Sequence, residues 1–278
     1  KDFLEMFLDA KKIEGCSERT LQYYRVTVEH LLSQMGNSVR KVTTEEIRTY
    51  LADYQKNSNC SNVTIDNIRR NISSFFSWLE EEDYILKSPM RRIHKIKTKT
   101  VVKNTISDES IEKLRDYCTE IRDLAIIDLL YSTGIRVGEL VNLNIDDIDL
   151  EGRECIVYGK GDKERRVYFD AKAKVHLKEY IEGRKDENKA LFVTLDAPYD
   201  RLKISGVEIR LRQLGRKLDL EKIHPHKFRR TMATRAIDKG MPIEQVQKIL
   251  GHSQIDTTMQ YAMVNQNNVK TSHQKYMS

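Results

Sequence analysis

Apolar residues recur every three to four positions from Phe3 to Ala10, Leu21 to Met35, Ile47 to Tyr54 and Ile65 to Leu79, and joints rich in Ser, Thr and Asn divide these runs. That period gathers each apolar set on one helical face, so the first part of the chain predicts a compact domain of four helices. The joints "CSERT" at 16–20 and "VTTEE" at 42–46 put hydroxyls ahead of glutamates, which satisfies the free N–H groups of a first helical turn. A second helical region opens with "ISDESIEKL" at Ile106. It is broken between Ile145 and Phe169, where short runs rich in Val, Ile and Tyr alternate with the turn segments "LEG" and "GKGDK", a spacing that predicts a three-stranded antiparallel sheet. Helices are expected again from there to Tyr261, followed by a polar tail of 17 residues. The predicted fold class is mainly α with a small antiparallel β-sheet, in three parts: a helical domain at 1–86, a linker at 87–103 and a larger domain at 104–278.

Charge sharpens the middle of this scheme. The chain has a formal net charge of +6, and "KSPMRRIHKIKTKTVVK" from Lys87 to Lys103 holds seven Lys/Arg with no acid, so the excess positive charge is concentrated there. Pro89 is expected to stop the preceding helix, and the Lys-x-Lys pattern suits an extended tether. Ten extended residues span roughly 33 Å, enough to follow one side of a nucleic-acid duplex. A solvated tether without a ligand is the alternative. No run reads as a membrane span or signal peptide, which favours a soluble cytoplasmic protein with a polyanionic partner. The chain starts at Lys1 rather than methionine, which suggests upstream trimming. Cys16, Cys60, Cys118 and Cys155 are scattered without C-x-x-C spacing, so reduced thiols are expected and no metal site.

Several motifs fail on inspection. Asp147, Asp149, Glu151 and Gly152 imitate a calcium loop, but its closing glutamate position holds Tyr158. "YGKGDK" lacks the remainder of a phosphate-binding P-loop, and "GIRVG" lies in surroundings too polar for a membrane helix, leaving packing as its reason. Asp146, Asp147 and Asp149 at a strand-turn boundary suit turn acids better than a two-metal site.

Other residues carry chemistry. In "HPHKFRR" (224–230), Pro225 can open a helix, and His226 and Arg229, three apart, then project from one face near its N-terminus. A guanidinium fork beside an imidazole and free backbone N–H groups can hold a phosphate, and a basic surface helix is the alternative use of this stretch. Arg136 in "LLYSTGIRVGELVNL" falls at the joint where one helix ends at Gly134 and another begins; a salt bridge to Glu139 is the alternative use of its charge. Lys160 lies between two glycines at a hairpin tip. In "MPIEQVQKILGHSQIDTTMQYA", Pro242 starts a helix, Gly251 stops it, His252 follows, and Tyr261 is expected about two and a half turns into the next helix.

In residue type, order and spacing these elements resemble the tyrosine recombinase family, also called phage integrases, over nearly the whole chain. Arg136 resembles the first arginine, Lys160 the hairpin lysine, His226 and Arg229 the H-x-x-R box, His252 the following histidine and Tyr261 the nucleophile. The helices and basic segment at the amino end resemble the family's SAM-like core-binding domain and interdomain strap. One departure stands out: the family's H-x-L-R-H box commonly has a second histidine where this chain has Arg230, and Phe228 replaces the leucine, so what Arg230 contacts is open.

The resemblance implies a site-specific DNA recombinase without cofactor. Tyr261 would attack a phosphodiester to give a 3′-phosphotyrosine and a 5′-hydroxyl, Arg136 and Arg229 would clamp the non-bridging oxygens, and His252 would add a hydrogen bond. Lys160 would protonate the leaving oxygen and His226 would assist proton transfer at the tyrosine. Arg91, Arg92, Lys95, Lys97 and Lys99 are the expected DNA-binding residues. The expected partners are double-stranded DNA sites and a homotetramer exchanging strands through a Holliday junction, with the tail around Val264 and Val269 docking on a neighbour. Integration or excision of a mobile element is the expected task, with Xer-type dimer resolution or inversion as alternatives. A type IB topoisomerase and a non-catalytic DNA-binding regulator are the competing readings.

Overall fold

The computed structural model describes residues 2–36, 38–98, 104–159, 164–252 and 254–262. The chain divides into two compact units, Lys1–Val101 and Val102–Ser278.

The first unit is built from α1 (Phe3–Ile13), α2 (Glu18–Gln34), α3 (Thr44–Ser58) and α4 (Asn62–Glu81). Ser17, Thr43 and Ser61 cap α2, α3 and α4 through their side-chain oxygens, and Glu46 closes the box by accepting from the Thr43 N–H at 2.7 Å. The apolar faces meet in a core around Phe7, Leu31, Ile47, Ile72, Phe75 and Phe76, with Phe7 edge-on to Phe75 at 5.4 Å. This matches the helical register expected from the sequence.

The basic segment behaves otherwise than expected. Pro89 does not end a helix: α4 stops at Glu81, and Pro89 opens a short 3-10 turn, Pro89–Arg92, capped by Ser88. Nor does the near half of the segment hang free. Met90 is buried, the Ile96 N–H donates to Asp66 at 3.0 Å, the Asn62 amide donates to the Lys97 carbonyl at 3.0 Å, and Arg91 pairs with Glu80. Alternating Ile and Lys explain this: Ile93 and Ile96 pack on the unit's core while Arg92, Lys95 and Lys97 stay exposed. Lys99 lies outside the described residues.

The second unit contains α5 (Asp108–Tyr117), α6 (Ile121–Thr133), α7 (Val137–Asn142), β1 (Ile148–Asp149), β2 (Glu154–Tyr158), β3 (Glu164–Tyr168), α8 (Ala171–Glu182), α9 (Ile204–Lys217), α10 (Pro225–Asp238), α11 (Ile243–Leu250) and α12 (Ile255–Ala262). The sheet is antiparallel in the order β1-β2-β3, with Cys155 opposite Val167 on its buried face. Helix α6 is enclosed on nearly all sides and packs on α8, α10 and β3.

Between α8 and α9 the expected helical continuation fails. Residues 184–203 hold two isolated bridges, Asn144↔Ala190 and Val193↔Arg201, and bury Leu191, Phe192 and Val193. Three consecutive apolar residues suit this buried bridge, and Arg201 donates to the Val141 and Leu143 carbonyls at 2.8 and 3.0 Å.

The acids of the calcium-like stretch are turn acids: Asp147 accepts from the Asn144 N–H at 2.7 Å and Asp149 from the Gly152 N–H at 2.9 Å. All four cysteines are free thiols. Among the described residues no helix is long and apolar enough to cross a membrane.

Candidate active site

The site is organised by the end of α11. Gly251 takes the left-handed conformation at φ 63° and closes the helix, with the His252 N–H reaching back to the Gln247 carbonyl at 3.2 Å. That leaves the last carbonyls without helical partners, and three arginines from three other elements take them in turn. Arg165 of β3 donates Nε–H to Ile249 at 2.9 Å, Arg229 of α10 donates Nη2–H to Leu250, and Arg136 at the start of α7 donates Nη2–H to Gly251 at 3.2 Å. A helix C-terminus carries partial negative charge, which is why it can hold three cations so closely.

Each arginine has a second anchor. Arg229 also donates to the Gly134 carbonyl at 2.7 Å and thus ties the ends of α6 and α11 together while only 3% exposed. Gly134 is required there: its φ is 64°, and a Cβ would stand 2.5 Å from the Met232 methyl. The packing reason read for "GIRVG" therefore holds at Gly134, whereas a Cβ at Gly138 would meet only an ordinary contact, with Ile204 at 3.9 Å. Glu139 accepts from Arg136 at 2.9 Å and grips both arms of Arg165 at 2.6 and 2.7 Å. Burial alone would raise the Glu139 carboxyl, but hydrogen bonds from Arg165 and from Arg136 hold it below the ordinary range.

Cations still outnumber this carboxylate. Burial, with Arg136 nearby, pushes Arg229 down to about 10. Burial, with Arg229, Arg136 and Arg165 nearby, pushes His252 down to about 4, so its imidazole is neutral at pH 7. His226 and His224 are lowered too, each first by burial and then by Arg229 and Arg230 respectively. Burial is the first cause of all four shifts and neighbouring cations add to it, so further positive charge is disfavoured in this region.

His252 shares a 2.9 Å hydrogen bond with the buried Thr258 hydroxyl and stacks on Tyr261, ring centroids 6.2 Å apart and planes inclined by 24°. Tyr261 is half-buried against Ala233, Val246 and Leu250. It lies about two turns into α12, which starts at Ile255, rather than two and a half.

The fold therefore brings Arg136, Arg229, His252 and Tyr261 together at the α11 terminus. His226 lies on the first turn of α10, its ring screened on one side but its side chain still open to solvent, and makes no hydrogen bond among the described residues. Lys160 lies outside the described residues, as does the tail from 263 onward. Sequence reasoning missed Arg165 and saw Glu139 only as the alternative partner of Arg136. The signal for Arg165 lay in the strand's alternation, since it shares the inward side of β3 with Val167. Arg136 serves both readings at once: it is paired with Glu139 and yet keeps 35% of its side chain exposed.

Comparison with known proteins adds the following. A family model described as "Phage integrase family" matches residues 92–268, and one described as "Phage integrase, N-terminal SAM-like domain" matches residues 3–86. The chain is 30% identical to a protein named tyrosine recombinase XerC from Oceanobacillus iheyensis, across 98% of this chain and 95% of that one. It is 28% identical to tyrosine recombinase XerA from Saccharolobus solfataricus, across 100% and 93%. Among solved structures, a XerA recombinase aligns with a TM-score of 0.58 at 27% identity, covering 99% of this chain and 98% of its own. A Tn1549 transposon integrase in complex with transposon right end DNA aligns with a TM-score of 0.82 at 19% identity, covering 100% of both, a likeness of fold.

Proposed function

We infer the function of this chain from two facts: it belongs to the phage integrase family of tyrosine recombinases, and its Arg136, Arg229, His252 and Tyr261 converge on one cation-rich turn. The reading is a site-specific DNA recombinase that cuts and rejoins double-stranded DNA through a phosphotyrosine. The single observation that carries it is the surplus of guanidinium over carboxylate beside Tyr261.

A phosphodiester entering the site supplies the missing negative charge. Arg136 and Arg229, already fixed by backbone carbonyls, offer their remaining N–H groups to its non-bridging oxygens, so little reorganisation is needed as charge grows in the transition state. His252, neutral and held by Thr258, donates one further hydrogen bond. The Tyr261 oxygen attacks phosphorus, the phosphorus–O5′ bond breaks, and the 3′-phosphotyrosine preserves the bond energy for rejoining. Lys160 protonates the departing 5′-oxygen, and His226 takes part in proton transfer at the tyrosine. Arg91, Arg92, Lys95, Lys97 and Lys99 contact backbone phosphates, and four protomers exchange strands pairwise through a Holliday junction, with the tail docking between them.

Two biological tasks use this chemistry. Similarity to proteins named Xer across almost the whole of both chains supports a Xer-type role in resolving chromosome dimers, while the fold shared with a transposon integrase supports integration or excision of a mobile element. One experiment addresses both: incubate the protein with fragmented genomic DNA in EDTA, collect covalently linked fragments and sequence them beside a Tyr261→Phe control. Adducts that vanish in Y261F and map to one chromosomal locus support the first role; adducts at element ends support the second. Adducts that survive in Y261F, or none from the wild type, sink the reading.

A further inference from the structure

Arg230 follows Arg229 in α10 and is treated very differently by the fold. Other buried or partly buried guanidinium groups of this unit each have at least two partners: Arg122 holds Asp123 and the Val193 carbonyl, Arg184 holds Asp186 and the Asn188 carbonyl, Arg165 holds Glu139 and Ile249, and Arg229 holds two helix ends. Arg230 has a buried Nε–H with no acceptor among the described residues. An unanswered charged donor inside a protein is costly, and such exceptions call for an explanation.

The described residues offer no acceptor. Burial lowers the Arg230 guanidinium, and the two groups that favour its charge are Tyr261 and Glu221. Glu221 is already engaged by Lys227 at 2.8 Å and by Asn104 at 3.5 Å. Close enough to feel the Arg230 charge are His224 and His226, both disfavoured in their charged forms by it. The unanswered donor thus lies in the field of Tyr261, on the same helix as Arg229, in a place short of acceptors and rich in cations.

We propose that Arg230 is a phosphate-binding residue of the DNA complex, donating to a non-bridging oxygen of a backbone phosphate held next to Tyr261, so that the DNA supplies the acceptor that Arg230 lacks among the described residues. This rests on the recombinase reading above and extends it to a residue for which the family's usual histidine offers no precedent. A guanidinium suits the task because its planar fork can keep Nε–H and one terminal N–H on the same phosphate.

The test measures binding of a fluorescently labelled duplex by anisotropy at several salt concentrations, for the wild type, Arg230→Gln and Arg230→Lys. The duplex carries the captured target site; a random-sequence duplex is run in parallel. R230Q is expected to bind about tenfold more weakly or worse and to lower the slope of log affinity against log salt by about 0.9, the value for one phosphate contact. R230K, which keeps the charge, should retain the slope. Because no hydrogen bond among the described residues is lost, R230Q should melt within about 2 °C of the wild type. A set of duplexes, each with one neutral methylphosphonate, then locates the contact: at one position the substitution should weaken the wild type about tenfold and R230Q hardly at all. Wild-type affinity and slope in R230Q, or equal methylphosphonate losses at every position in both proteins, overturn the proposal. If R230Q does not fold, Arg230→Met carries the scan, and the affinity, slope and single-position loss of the wild type in that variant overturn it. Tyr261-linked adducts from a wild type that R230Q matches in binding leave the recombinase reading standing without Arg230. A wild type without adducts removes that reading, while the random duplex still reports whether Arg230 meets phosphate.

Discussion

Two clusters of buried charge border α6, and they are built on opposite terms. Around Asp128, in the body of the helix, Arg115 donates at 2.7 Å and His176 adds a second hydrogen bond, while Glu112 takes another arm of Arg115 at 2.5 Å. Burial pulls the Arg115 guanidinium down, but Asp128 and Glu112 outweigh it and the net shift is upward. Around Glu139, just past the helix end, Arg136, Arg165 and Arg229 share one carboxylate and four carbonyls, and Arg229 ends lower than its ordinary value. The first cluster is complete in itself. The second keeps more guanidinium than carboxylate, as the phosphate site proposed above requires, and on that proposal the difference separates charge buried for the fold from charge buried for a ligand.

Removing one arginine from each cluster tests this most severely. Arg229→Met should reduce covalent capture of DNA by at least about a hundredfold, the loss usual for one donor to a developing oxyanion. Arg115→Met should leave capture per folded molecule within about threefold of the wild type, yet lower the melting temperature by roughly 10 °C, as expected for about 3 kcal/mol lost on breaking a buried pair. The comparison fails if R115M harms capture as much as R229M does at a temperature where both are folded.

Glu139→Gln gives a smaller and more particular effect. It keeps the shape but releases Arg136 and Arg165 from their shared charge, so the site becomes more cationic and less ordered. Binding of a duplex should hold or tighten while capture slows by roughly tenfold. Weaker binding would mean that Glu139 is not the internal stand-in for the anion.

Gly251→Ala probes the same turn through the backbone. The residue would have to adopt φ 63° and place a Cβ 3.0 Å from the Arg165 side chain. A stability loss of about 1–2 kcal/mol is expected from the left-handed conformation alone. Capture should slow severalfold, because His252 follows directly. Unchanged capture would show that the turn tolerates displacement.

How much of this was legible beforehand follows the same division. Period and caps located α1 to α4 because each buries one apolar stripe, and Gly134, Pro225 and Gly251 marked helix ends because only certain backbones fit there. The residues of the site were legible only through their order along the chain, since no single one is distinctive. What stayed hidden depends on contacts distant in sequence. The acceptors of Arg165 lie 26 and 84 positions away, and no local pattern announces that three arginines will share one helix end. The basic segment misled for a related reason: its lysines advertise solvent, while the anchoring is done by Met90, Ile96 and the backbone.

The mildest test of the comparison uses pH and a simple anion. Burial and the neighbouring arginines push His252 down to about 4 in the folded protein, against an ordinary 6.5, so between those two values the unfolded chain binds the proton that the folded one refuses. Its contribution to stability is therefore fully present above about pH 6.5 and is lost as pH falls towards about 4. An anion in the cluster reverses part of that loss by making the charged imidazole and Arg229 welcome again. Sulfate at a fixed ionic strength should raise the melting temperature by a few degrees at pH 5 and by less at pH 8, with proton uptake on binding at the lower pH. His252→Asn should remove most of the difference between the two pH values. An equal sulfate effect at both, in wild type and variant alike, would mean that the cation surplus at the end of α11 is already answered within the protein and that the two clusters are of one kind.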